Sequence, residues 1–178
     1  MLDKDRPQAR EEKIRRTIAE FGHFTDSGNY EEWVGLFTET GSYHMFGQSH
    51  VGHKALRAFI EDDQPPHRRG LHLTTDSLIT FVGDCARVRS NFIFVASGDA
   101  APVIVAGGQY HDILVPRDER WLFQERETTL FGPTATVAWG RKGFDDPKIV
   151  PWFAVTRTTP LERRGTYDGP QQQISPEK

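Results

Sequence analysis

The sequence predicts an α+β domain with its helices packed on one face of a mostly antiparallel sheet. Three observations carry this. Apolar residues in the first third recur at helical spacing. After the Pro65-Pro66 break, four strand-like runs follow one another through short turns. Helices first and a strand meander after is the order that gathers helices on one side of an antiparallel sheet. The 178 residues suit one domain with an appended tail. A chain near this size hides roughly 70% of its unfolded surface. The hydrophobic share of 37% and charged share of 26% fit a globular chain.

Taking the elements in order, the residues to about Gln8 are polar. Ile14, Ile18 and Phe21 then form one apolar stripe among charged residues, which predicts an amphipathic helix ending near Asp26-Ser27-Gly28-Asn29. A second helix is expected from about Tyr30 to Phe37, burying Trp33, Val34 and Phe37. Residues 41–46 read as a short strand closed by Gly47. A third helix is expected from His53 to about Glu61, with Leu56, Phe59 and Ile60 inward. The strand-like runs are Leu71–Phe81, Ala86–Ala96, Gly107–Val115 and Trp121–Leu130, with turns at Gly83-Asp84 and over 117–120. Residues 1–132 are expected to form the domain, its core at about 10–131. Residues 133–178 form a proline-punctuated extension, expected to pack to about 158 through Trp139, Trp152 and Phe153 and to be disordered beyond.

Composition narrows the function classes. The formal net charge is −3 and no basic stripe interleaves with aromatics, so nucleic acid is not an expected partner. The single cysteine, Cys85, excludes an intrachain disulfide framework and a multi-cysteine zinc site, and fits a reducing compartment. The N-terminus is charged from Asp3 to Arg16, unlike a signal peptide. No run approaches the roughly 20 apolar residues of a membrane span. A soluble, cytoplasmic protein with no membrane partner is the expectation. The seven histidines form no His-x-x-x-His pair and no glycine-rich loop follows a strand, so neither metal nor cofactor is expected. Ser27 and Cys85 lack the context of a nucleophile.

Several local motifs match a known family in order and spacing. They are Asp26-Ser27-Gly28-Asn29-Tyr30-Glu31-Glu32-Trp33, Leu36-Phe37-Thr38-Glu39-Thr40-Gly41, Gly52-His53-Lys54-Ala55-Leu56, His72-Leu73-Thr74-Thr75-Asp76, Gly108-Gln109-Tyr110-His111-Asp112 and Asp118-Glu119-Arg120-Trp121. Across about residues 10–131 the chain resembles the SnoaL-like and scytalone-dehydratase-like branch of the nuclear transport factor 2-like superfamily. The resemblance implies a cone-shaped, strongly curved, mixed or mostly antiparallel sheet with three helices on its concave side, a cystatin-like α+β barrel. A fold hosts many functions, so it constrains the reaction less.

Catalytic members of that family pair a buried aspartate with a histidine. By position, Asp26 corresponds to the aspartate and His72 to the histidine, with Tyr43 as a pocket tyrosine and Phe46 as a pocket phenylalanine. A neutral imidazole removes a proton while a carboxylate fixes its tautomer and stabilises the imidazolium. Each has a plainer reading as well: Asp26 as a turn residue, His72 as a structural histidine, Tyr43 as core. His23 lies three residues before Asp26 and is a candidate for the pocket wall. Tyr110 and Asp112 alternate onto one face of their strand, opposite His111, and the sequence leaves open which of the two faces is the pocket side. Arg126 fits an oxyanion ligand less well than a partner for an acid. The chain departs from scytalone dehydratase where Phe92, Ile93 and Phe94 replace a second histidine, and where Tyr110 falls near its asparagine.

The resemblance implies a cofactor-independent lyase of the dehydratase type. His72, Asp26 and Tyr43 would be catalytic, and Phe46, His23, Tyr110, Asp112 and Phe94 would bind substrate. The expected substrate is a hydrophobic, hydroxylated, aromatic or polycyclic small molecule, in keeping with 12 Phe, 4 Trp and 4 Tyr. The same pair serves an isomerase or a retro-aldol, formaldehyde-releasing lyase. A non-catalytic ligand-binding or assembly subunit, as in ring-hydroxylating dioxygenase β-subunits, is the other class. A homodimer or homotrimer is expected from the open outer face of such a sheet.

Overall fold

The computed structural model describes residues 7–96 and 102–131. The expected C-terminal extension lies outside the described residues. The first helix, α1 (Pro7–Ser27), buries Ile14, Thr17, Ile18, Phe21, Gly22 and Thr25, a stripe at alternating spacings of three and four. It ends where Gly28 turns left-handed at φ +74°. The Gly28 and Asn29 amides return to the carbonyls of Thr25 and Phe24 at 3.2 and 2.9 Å, the paired C-terminal bonds that glycine favours. Helix α2 (Tyr30–Val34) is shorter than expected and buries Trp33 and Val34. Strand β1 (Phe37–Met45) accordingly starts earlier than the sequence suggests.

A two-residue turn with both φ positive, Phe46 at 53° and Gly47 at 74°, leads into β2 (Gln48–Val51), a hairpin of the kind that suits twisted strands. Sequence patterning misses β2 because its residues are mostly exposed and show no alternation. Helix α3 (Gly52–Asp63) buries Leu56 and Ile60 and runs two residues past its expected end. A turn of 3₁₀ helix at Pro66–Arg68 follows. The meander is β3 (Leu71–Val82), β4 (Cys85–Ala96), β5 (Val103–Arg117) and β6 (Arg120–Leu130).

The six strands form one curled, open sheet in the order β2-β1-β6-β5-β4-β3. Neighbours are antiparallel except β1 and β6, which run parallel. Helix α1 packs on β3 and β6, and α3 packs on β1. Period-two alternation sends Phe92 and Phe94 of β4, and Tyr110, Asp112 and Leu114 of β5, inward. The Phe21 ring lies 5.3 to 6.4 Å from those of Trp33, Phe37, Tyr43, Tyr110 and Phe123. This aromatic cluster is the floor on which the candidate site rests.

Candidate active site

A cavity opens between the C-terminal ends of α1 and α3 and the inner face of the sheet. Its wall includes Thr25, Tyr43, Asp63, His72, Phe94 and Tyr110. The last turn of α1 presents Asp26 to the first residues of β3. There the Asp26 carboxylate accepts the His72 backbone N–H at 3.2 and 3.0 Å. Its Oδ1 also lies 2.6 Å from His72 Nδ1. A carboxylate at that distance requires the Nδ1–H donor, so in the neutral imidazole Nε2 is the nitrogen that keeps its lone pair. The two side chains are only 11% and 16% exposed. Phe94 covers the imidazole face with ring centroids 4.4 Å apart.

Tyr43 is buried, and its hydroxyl pairs with Thr128 Oγ1 at 2.8 Å and donates to Met45 Sδ at 3.2 Å. Burial pushes its pKa far above the ordinary value, against the opposing effects of Thr128 and Arg126. It therefore stays a neutral phenol, a donor rather than a phenolate. Tyr110 is raised as well, again by burial first. Its ring stacks on Phe92 at 4.4 Å.

Asp112 is fully buried, but it lies behind the wall. Its two oxygens take parallel bonds from Arg126 Nε and Nη2, both at 2.8 Å. The guanidinium sits 4.1 to 4.2 Å from the rings of Phe21, Tyr110 and Phe123. Burial pushes the Asp112 carboxyl above its usual range against the pull of Arg126. The pair is a structural brace under the pocket rather than a substrate contact.

Two residues placed on the wall by sequence stand elsewhere. His23 is exposed: at about 100° per residue it sits roughly 200° from both Phe21 and Thr25, the residues of α1 that face the cavity. Phe46 occupies the β1–β2 turn at 39% exposure. Parity explains it, because Tyr43 and Met45 point inward and the even-numbered neighbours do not. Met45 takes the wall position instead. Sequence reasoning missed Asp63 and Gln64, which line the cavity from the end of α3. They lie three and four residues after Ile60, the spacing that would have found them had the helix been carried one turn further.

The free space in this cavity is about 30 Å³, room for about two waters where one occupies about 10–15 Å³. An open groove of about 500 Å³ lies outside the cone, lined by residues including Lys13, Arg16, Glu20, Glu119 and Arg120. There Lys13 pairs with Glu119 at 2.9 Å and Arg120 with Glu20 at 2.7 Å. Among the described residues, no group of three or more His, Cys, Asp or Glu is placed to hold a metal. No helix among them is long and apolar enough to cross a membrane.

Solved structures with the same architecture are known. A protein of unknown function from Mycobacterium tuberculosis, solved as an aspartate-to-asparagine variant, is 28% identical, with TM-score 0.68 over 76% of this chain and 79% of its own. A candidate scytalone dehydratase from Novosphingobium aromaticivorans is 25% identical, with TM-score 0.61 over 68% of this chain and 84% of its own. A nuclear transport factor 2-like protein with a cystatin-like fold from the same organism shares the fold at 22% identity, with TM-score 0.65 over 74% and 94%. No curated protein matches the sequence. The family model for the SnoaL-like domain matches residues 8–127, the span that carries the helices, the sheet and both halves of the Asp26–His72 pair. The chain belongs to the SnoaL-like domain family.

Proposed function

We propose that the protein is a cofactor-independent lyase that eliminates water from a hydroxylated small molecule by general acid–base catalysis. One observation carries this reading: the 2.6 Å contact between Asp26 Oδ1 and His72 Nδ1 in a cavity wall. It orients Nε2 as a base and compensates the imidazolium formed when a proton is taken. His72 Nε2 removes a proton from a carbon next to a carbonyl, Asp26 holds the ring, and the neutral phenol of Tyr43 polarises the oxygen. Such proton transfer is worth about 10²–10⁴-fold in rate. The similarity to a candidate scytalone dehydratase agrees with this class. The aromatic wall favours a flat, apolar substrate. The small free volume favours a compact one, since a polycyclic molecule needs the wall to part.

The test is a screen of hydroxylated aromatics and β-hydroxy ketones, followed by absorbance of the conjugated product. His72→Ala is expected to lose turnover with its circular dichroism unchanged. Wild-type turnover in both His72→Ala and Asp26→Asn would reject the reading. Carbonyl fragments in place of a dehydrated product would move the same pair to retro-aldol cleavage.

A further inference from the structure

The cavity holds a second carboxylate that the Asp26–His72 pair does not use. Asp63 ends α3 and lines the cavity together with Gln64 and His72. Its Oδ2 accepts Gln64 Nε2 at 3.0 Å. That bond turns the other end of the amide, Oε1, into a buried position with no hydrogen-bond partner among the described residues. An unpaired buried carbonyl costs free energy, and here it sits on a residue of the cavity wall. The segment is anchored from outside: the Tyr30 hydroxyl donates to the Gln64 carbonyl, and Arg69 Nε lies 3.4 Å from the same oxygen. The Asp63–Gln64 corner is thus fixed, part of the cavity wall and incompletely satisfied.

We propose that Asp63 is the catalytic acid of this site, giving its proton to the departing hydroxyl, and that Gln64 Oε1 receives a hydrogen-bond donor of the substrate. The proposal rests on the reading of His72 as the base. In the step, the C–H bond breaks and its proton goes to His72 Nε2. The electron pair forms the C=C bond, the C–O bond breaks, and the hydroxyl leaves as water with the Asp63 proton. Transfer from imidazolium to the Asp63 carboxylate through solvent resets the pair. The minimal substrate is then a compact β-hydroxy carbonyl compound, to which a further donor group adds binding at Gln64.

The charge environment agrees. Burial is the first influence on Asp63 and raises its pKa, opposed by the Gln64 bond, by His72 of β3 and by Arg68, and assisted by Asp62 of α3. His50 of β2 and Tyr43 of β1 also feel its charge. A carboxyl so placed keeps its proton to higher pH than a surface one.

Leaving-group dependence tests the role. Diacetone alcohol loses hydroxide, which needs an acid; its acetate ester loses acetate, which does not. Asp63→Asn is expected to slow the alcohol by about 100-fold or more and the ester by less than about threefold, whereas His72→Ala slows both. Equal slowing of the two probes, or no slowing of the alcohol, overturns the proposal. A wild-type chain that turns over neither probe counts against the His72 elimination reading itself. The acid is then decided without turnover, by carbon NMR of carboxyl-labelled aspartate, with the Asp63 signal identified by its loss in Asp63→Asn. A midpoint above the ordinary carboxylate value supports Asp63 as the acid, and one at or below it overturns that role.

Discussion

Phe92 lies flat on Tyr110 because Gly108, its register partner across β4 and β5, has no side chain. The two rings are 4.4 Å apart and 17° from parallel. A Cβ on Gly108 would lie 2.9 Å from the Phe92 ring and would run into the Thr129 carbonyl oxygen of β6. Gly108→Ala is therefore expected to destabilise the fold by about 1–3 kcal/mol. The measurement is the urea midpoint at unchanged slope.

Arg126 and Asp112 brace the floor of the pocket, both at 0% side-chain exposure. Removing one partner leaves a buried group uncompensated, and Asp112→Asn or Arg126→Met is expected to cost about 3–5 kcal/mol. Replacing both, with Asp112→Leu and Arg126→Met, is expected to recover most of that loss. A double-mutant cycle in denaturant checks it.

Tyr43 separates structure from chemistry. Tyr43→Phe leaves Thr128 Oγ1 without its 2.8 Å partner, so stability should fall by about 1 kcal/mol. If the phenol also polarises the substrate oxygen, kcat falls by about 10-fold or more, far beyond what the few degrees of melting temperature lost with about 1 kcal/mol would explain. A kcat within twofold of wild type would leave Tyr43 as core.

Stability should carry a pH signature from Asp63. Its folded pKa is raised above the ordinary 3.8 by burial, so the folded state binds more protons than the unfolded one between those values. The stability it contributes is full below 3.8 and is lost as pH rises through the folded pKa. Asp63→Asn cannot ionise, so its melting temperature should gain on wild type from acid towards neutral pH. Parallel curves in differential scanning calorimetry would contradict this.

The long-period features were legible in the sequence. The stripe from Ile14 to Phe21 gave α1, and four alternating runs gave β3 to β6. The shared parity of Tyr110 and Asp112 put both on one face, and the structure makes that face the buried one. Asp26 and His72 were legible only through the family motif, because no local pattern says that a helix end will meet a strand start 46 residues on. What failed was local. The strand β2 is set by the Phe46-Gly47 turn rather than by hydrophobic alternation. Phe46 was placed by its match to a family position and His23 by its helical spacing from Asp26, whereas strand parity and the phase of Phe21 and Thr25 put them outside. Asp63 and Gln64 were lost with the last turn of α3, whose polar residues look like a solvated end until the cavity behind them is seen.

The Asp26–His72 contact joins the first helix to β3, which forms one edge of the sheet. The proposed base is thus assembled from two pieces that only docking brings together, and neither carries its orientation alone. Partial detachment of α1 would silence the site while most of the strand pairing survives. Catalytic competence then becomes a latch indicator: it reports whether the cone is shut, and under heat or denaturant it should fade before the sheet melts.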